Sequence, residues 1–506
     1  MSAPTRSWSA LAVCCLIAGA CAVGLLAQAV TPETQLQLGQ SQYANGLYGE
    51  ALASFQRAAV AEDARVHIPA RAGVVQSALR IAQFGIARGA AAALVQEQPR
   101  DAAILALYGD AMWSSGLFEE ADHAYAESTS IDAQEARGHN GRARTLSARG
   151  QFEAALYHAV TAVKLAPKEP DFYYTLGAAY RRMGRYADAA AALSDFVTLL
   201  PKGDQDERAA WARSTIMFLR SFGATRPNRI LGDPNAVHTL PFRLVNEKII
   251  VWGRINGGPQ MEFVVDTGAE MATVSRRTAL RQDITGVAST VSAGVGEIGL
   301  RGLQIGRLDQ LEIGTLRVAD VPCIIKTPAL VDLPTPERES LSPLALGLSM
   351  AVDYGHRTVT LARQLPADPG PADETMNLWL TRLATVRGVV ADSHARSFVV
   401  DTGGQVISIS TDTARALPQE GLGRKIALKV YGASGWDRDA YLLPGVNLAF
   451  NDIRFPKMSV VVLNLRAPSV LLGYDVGGII GHQFLSKYRV VFDLEKAELR
   501  LMKLPS

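Results

Sequence analysis

Apolar positions follow two patterns along this chain. From about residue 33 to 222 they recur at helical spacing within alanine-rich runs, and from Asn228 onward they gather into short Val/Ile/Leu stretches broken by Gly and Asn. The first pattern predicts helices, the second β-strands and hairpins. In the helical half Gly116, Gly150 and Gly184 stand 34 residues apart. Each is followed two positions later by an aromatic ring (Phe118, Phe152, Tyr186) and five positions later by an alanine (Ala121, Ala155, Ala189). Pro167 and Pro201 keep the same period. A glycine permits a tight turn and a small alanine lets two helices approach closely, so each unit is expected to be a helical hairpin. Weaker copies begin at Gly46, with Ala51, and at Gly85, with Ala90. In the second half Lys248–Gly253, the Asn256-Gly257-Gly258 turn and Met261–Val265 read as strand, turn, strand, because Asn-Gly supplies the positive φ of a two-residue hairpin loop.

The period and pattern of the first half resemble the tetratricopeptide repeat over roughly residues 33–202. A last helix, about Asp204 to Phe222, is expected to bury Trp211, Met217 and Leu219 and to cap the stack. Such arrays usually offer a concave face to a peptide or protein. The alanines and aromatics named above are expected to be packing residues rather than contacts.

Length and composition narrow the class. A chain of 506 residues allows two to four domains. With 48% hydrophobic residues, 20% charged residues and a net charge of +2 it is neither a disordered chain nor a polybasic nucleic-acid binder. Ser7 to Pro32 carry no charge and follow Arg6, as in a secretory signal; Ala27-Gln28-Ala29 offers a cleavage site. Two variants stay open, a lipoprotein-type Ala18-Gly19-Ala20-Cys21 and an uncleaved membrane anchor. The expectation is export to the periplasm or cell envelope, with membrane contact only through this segment. Cys14, Cys15 and Cys21 lie inside it, so Cys323 alone remains, as a buried strand residue. No protein-held metal and no cofactor is expected, since the eight histidines include no i, i+4 pair.

The chemistry concentrates in a hexapeptide that occurs twice. Phe263-Val264-Val265-Asp266-Thr267-Gly268 returns as Phe398-Val399-Val400-Asp401-Thr402-Gly403, 135 residues on. Glycine-rich hairpins follow each copy at matching offsets, with Gly294, Gly296 and Gly299 in the first half and Gly432 and Gly435 in the second. The first set also fits the letters of a dinucleotide fingerprint, but Leu300 to Ile305 has no helical pattern, so a flap-like hairpin is the better reading. Both halves end in a similar strand pair: Ala351-Val352-Asp353 with Thr358–Leu361, and Val491-Phe492-Asp493 with Glu498–Leu501. Asp353 and Asp493 are expected to be structural. Tyr431 and Trp436 sit in the second hairpin, as cleft-lining or packing residues. No Gly-x-Ser-x-Gly elbow or phosphate loop is present.

These residues resemble the aspartic peptidases of the retropepsin and pepsin type, over about Phe242 to Lys503. The second half adds Gly478-Ile479-Ile480-Gly481, similar to the apolar-apolar-Gly segment on which that family's aspartate loop packs. In the first half this segment is either Leu346-Gly347 or lost near Leu341, which reads as an eroded copy; Gly404 also stands where the family usually has Ser, Thr or Ala. The resemblance implies a bilobal all-β fold after the all-α array. The expected division is a signal or anchor at 1–29, repeats and cap at 33–222, a linker at 223–241, lobe 1 at 242–364, a Pro-rich linker at 365–376 and lobe 2 at 377–506. It further implies that Asp266 and Asp401 activate a water and polarise a peptide carbonyl. Thr267 and Thr402 would lock the loops, Gly268 and Gly403 would allow their turn, and Ile479, Ile480 and Gly481 would support the second. The substrate would be a protein or peptide, which the repeats recruit, or the repeats would take a separate protein partner. The alternative is a non-catalytic envelope scaffold whose degenerate peptidase domain grips extended peptides.

Overall fold

A computed structural model describes residues 31–201, 207–296, 298–330 and 337–504. The signal, anchor and lipoprotein readings, with Cys14, Cys15 and Cys21, fall outside the described residues. Among those described, five antiparallel helix pairs run from Pro32–Ala44 with Tyr48–Ala58 to Pro170–Arg182 with Tyr186–Leu199. The periodic glycines sit at the turns within the pairs, with φ of +72° at Gly116, +75° at Gly150 and +71° at Gly184. Ala121, Ala155 and Ala189 are fully buried.

Two readings of this half need correction. In the second pair the turn residue is Ala82, at φ +54°, and Gly85 lies inside the helix Phe84–Glu97. Ala82 stands 34 residues before Gly116, so the period continues upstream with alanine in the left-handed position. In the capping helix, Glu207–Ser221, Trp211 and Leu219 are buried with Ile216, Phe218 and Phe222, but Met217 is 54% exposed. A straight helix cannot turn residues 216, 217, 218 and 219 all inward, and Ile216, Phe218 and Leu219 take the inner face.

The β half is built twice. Among the described residues, lobe 1 is a nine-stranded sheet and lobe 2 an eight-stranded one. A six-stranded sheet joins them, with Ser349–Asp353 of lobe 1 paired antiparallel to Tyr488–Asp493 of lobe 2, Met350 opposite Phe492 and Asp353 opposite Arg489. Its outer strands are His238–Pro241 on one side and Glu374–Asn377 on the other. Both stretches expected to be linkers therefore contribute strands, because an exposed edge of this shared sheet is covered by the chain entering each lobe. Asp353 and Asp493 end their strands as expected: Asp353 Oδ1 accepts from the His356 N–H (2.9 Å), and Asp493 Oδ1 from the N–H groups of Glu495 (3.1 Å) and Lys496 (3.0 Å). Cys323 is buried on a central strand, and burial pushes its thiol up to about 12.

The array rests on lobe 2 by the edge that carries its turns. A Cβ at Gly116 would lie 2.5 Å from Oγ of Ser397, and one at Gly150 would lie 3.1 Å from the Leu494 carbonyl. Arg149 donates to the Ala497 carbonyl (2.8 Å), and Trp379 Nε1 to Oε1 of Glu119 (2.9 Å). Phe118 packs on Trp379 and Tyr474, with ring centroids at 5.5 and 5.1 Å.

Candidate active site

Each hexapeptide forms a buried strand that ends at its aspartate. In lobe 1 Met261–Val265 pairs parallel with Glu339–Leu341, and in lobe 2 His394–Val400 pairs parallel with Val476–Ile480. The Asp266 N–H donates to the Leu341 carbonyl and the Asp401 N–H to the Ile480 carbonyl, each at 2.9 Å. The first-lobe counterpart of Ile479-Ile480-Gly481 is therefore Ser340-Leu341-Ser342 and not Leu346-Gly347: the apolar-apolar-Gly match is lost at Leu341, as the second alternative had it, while its backbone contact is kept. In lobe 2 a Cβ at Gly481 would press on the Val406 and Gly404 carbonyls at 2.6 and 2.8 Å, and the His482 N–H donates to the Gly404 carbonyl (2.8 Å). Lobe 1 places Ser342-Pro343 at this point, and proline has no N–H to give.

The two threonines lock the loops reciprocally. Thr402 Oγ1 accepts from the Thr267 N–H (3.1 Å) and donates to the Val265 carbonyl (2.8 Å). Thr267 Oγ1 accepts from the Thr402 N–H (3.0 Å) and donates to the Val400 carbonyl (2.6 Å). All four groups are buried and paired, which fixes the loops face to face. The Gly268 N–H then donates to Asp266 Oδ1 (3.0 Å) and the Gly403 N–H to Asp401 Oδ1 (2.8 Å). A Cβ on Gly268 would lie 2.6 Å from Cγ of Asp401, and one on Gly403 would lie 2.7 Å from Cγ of Asp266. Each glycine is thus the surface against which the other lobe's carboxyl rests.

Both aspartates remain partly accessible, each with its carboxyl against the other lobe's glycine. Burial first, and then the nearby charge of Asp401, push Asp266 up to about 7, against the pull of Lys248 and Lys326. Like charges this near each other disfavour the ionisation of both carboxyls together.

The tips of the two glycine hairpins meet each other. Strands Gly286–Ala293 and Leu300–Ile313 form the first, Val430–Gly432 and Gly435–Asp437 the second. The Ser434 N–H donates to the Val295 carbonyl (2.9 Å), and Ser434 Oγ to the Gly299 carbonyl (3.1 Å). Gly294 and Gly432 serve close approach, since a Cβ at either would lie 2.7 Å from Ala433 Cβ or 2.4 Å from the Val295 carbonyl. Gly296, Gly299 and Gly435 have φ of +141°, +64° and +97°. Tyr431 and Trp436 face each other across the second hairpin at 5.7 Å.

Three charged groups near the site carry no sequence signal. Arg301, 6% exposed on its side chain, spans the hairpin junction: it pairs with Glu337 (3.2 Å) and donates to the carbonyls of Ala433 (3.2 Å) and Pro328 (2.5 Å). Lys326 donates to the Arg338 carbonyl (2.7 Å), and burial holds its ammonium below the usual range. Arg382 of lobe 2 reaches Glu270, four residues past Asp266, at 2.8 Å. Their partners come from other strands or the other lobe, so no local spacing marks them.

Family comparisons agree with this geometry. Residues 251–335 match a family of gag-polyprotein aspartyl proteases, 384–484 match an aspartyl protease family, and 140–204 match the tetratricopeptide repeat. The chain joins tetratricopeptide repeats to two aspartyl-protease lobes. The repeat half is similar in fold to a repeat protein of the thermophile Thermus thermophilus, at 23% identity over 36% of this chain and 99% of that one, with a TM-score of 0.31. It is also similar to a repeat protein of Parabacteroides merdae, at 17% identity over 40% and 77%, with a TM-score of 0.30. A search of curated proteins finds no match. One aspartate loop lies within each protease match.

Proposed function

We propose that the chain is an aspartic endopeptidase that hydrolyses peptide bonds with a water activated by Asp266 and Asp401. The observation that carries this reading is the reciprocal threonine lock, which turns two loops from different lobes onto one point. The ionised member of the pair takes a proton from the water, and the protonated member donates a hydrogen bond to the scissile carbonyl. The roles then exchange as the amine leaves. The two glycine hairpins, whose tips meet, would take an extended peptide as an added strand and shut out water. The repeats recruit or orient a protein substrate. The uncharged stretch after Arg6 supports export to the periplasm or cell envelope.

The test is cleavage of casein or a peptide library between about pH 4 and 7, the acid side on which a shared proton is retained. Wild type should cleave, and Asp266→Ala and Asp401→Ala should each abolish it. Wild-type protein inert across that range would replace the enzyme with the peptide-gripping scaffold. Sequencing the N-terminus of the mature protein from a fractionated envelope tests export and processing together.

A further inference from the structure

The last repeat and the capping helix do more than close the stack. Trp211, 8% exposed, lies under the Arg382 guanidinium at 5.4 Å from the ring centroid, with Arg181 at 5.8 Å and the Tyr174 ring at 5.6 Å. The same Arg382 holds Glu270 on the loop that carries Asp266, and donates to the Leu471 carbonyl (2.9 Å) in the lobe 2 helix Arg466–Leu472. An aromatic face over a guanidinium displaces water and keeps an ion pair in a low-dielectric setting, where it is stronger and more rigid.

A second line of contact reaches the first flap. The capping helix packs along flap strand Gly286–Ala293, and the lobe 2 helix Arg466–Leu472 also touches that strand. Ile305 on the returning flap strand is buried in one apolar cluster with Trp211, Ile216, Phe218 and Phe222, and Met271, five residues past Asp266, packs against it. Farther along, Arg307 lies over the Phe222 ring at 5.4 Å. One helix of the array thus backs both the Asp266 loop and the first glycine hairpin, whereas a tethered recruiting module would touch neither.

We infer that Trp211 is a positioning residue of the peptidase site, acting through Arg382 and Glu270 on the Asp266 loop and through Ile305 on the first flap. Its effect on turnover rests on the peptidase reading; its effect on loop and flap order does not. The experiment is hydrogen exchange by mass spectrometry on the full chain carrying Trp211→Leu, which keeps apolar bulk and removes the ring face. Exchange over residues 267–275 and 286–305 should rise about tenfold, while the shared sheet at 349–362 and 488–503 stays as in wild type. An increase confined to Tyr186–Leu199 and Glu207–Ser221 overturns the inference. Should Trp211→Leu fail to fold, Phe222→Leu is judged by the same criterion on 286–305. In the cleavage assay kcat should fall about tenfold with KM little changed, and Trp211→Phe should restore most of it. A wild type that cleaves nothing sinks the peptidase reading alone, because the exchange result still decides the coupling.

Discussion

At the scale of single residues, the site depends on polar groups that have no substitute partner. Thr402→Val keeps the shape of the side chain but leaves the Thr267 N–H and the Val265 carbonyl buried without a bond. Each such orphan costs about 1–3 kcal/mol, so urea unfolding should show a loss of about 2–6 kcal/mol, whereas Thr402→Ser should stay close to wild type. The aspartate pair gives a prediction with a definite pH sign. Asp266 has a folded-state pKa raised to about 7 from an ordinary 3.8, so the folded state holds its proton more tightly than the unfolded state does. Stability from this group is complete below about pH 4 and is lost as pH rises through 7. Asp266→Asn, which cannot ionise, should therefore melt above wild type at pH 8, and the gap should close on acidification to pH 4. A gap that widens on acidification would mean that Asp266 is stabilised as the anion.

At the scale of elements, legibility follows how local the signal is. The hexapeptides and the 34-residue period are written in neighbouring residues and fold as read, and the Asn256-Gly257 turn forms with its positive φ, although its two strands pair with each other only up to Gly253 and Met261, a longer connection than a two-residue loop. The strand Glu339–Leu341 escapes the pattern because its function, accepting the Asp266 N–H at the Leu341 carbonyl, is a backbone property that Ser340-Leu341-Ser342 supplies without the expected glycine. The Arg301 junction escapes it because its partners, Glu337 and the Ala433 carbonyl, come from a different loop and a different lobe. Ala82 escapes it because the position calls for a left-handed backbone, which glycine adopts most readily but alanine also tolerates at a cost. That cost is measurable: Ala82→Gly should stabilise the chain by about 0.5–1 kcal/mol in denaturant unfolding, after the entropy of glycine is subtracted. In the flaps, Gly432→Ala puts a Cβ against the Val295 carbonyl at 2.4 Å, so the tips must part. Its expected mark is a KM raised about tenfold with little change in melting, since the tips contribute order over the site rather than core.

At the scale of the molecule, the array and the lobes share their packing. Phe118 from the repeats, Trp379 and Tyr474 from lobe 2 and Trp113 beside them form one aromatic cluster, and the backbone of lobe 2 pairs with the array where the Asp475 N–H meets the Ser114 carbonyl at 2.8 Å. Lobe 1 is reached separately, through Ile305 and Met271 at the capping helix. Repeat arrays commonly unfold unit by unit because each repeat touches only its neighbours. Here several repeat turns also touch lobe 2, so losing one loosens a contact with a domain that unfolds as a whole. Calorimetry should accordingly give one dominant transition, with the far-UV helical signal and the near-UV aromatic signal melting together. Phe118→Ala removes the ring at the centre of that cluster and should cost about 3–5 kcal/mol. Because the ring belongs to both halves, the helical and aromatic signals should fall in the same step. Separate melting in wild type would mean that the seam carries too little energy to couple the halves. Separation in Phe118→Ala alone would assign the coupling to this one aromatic cluster.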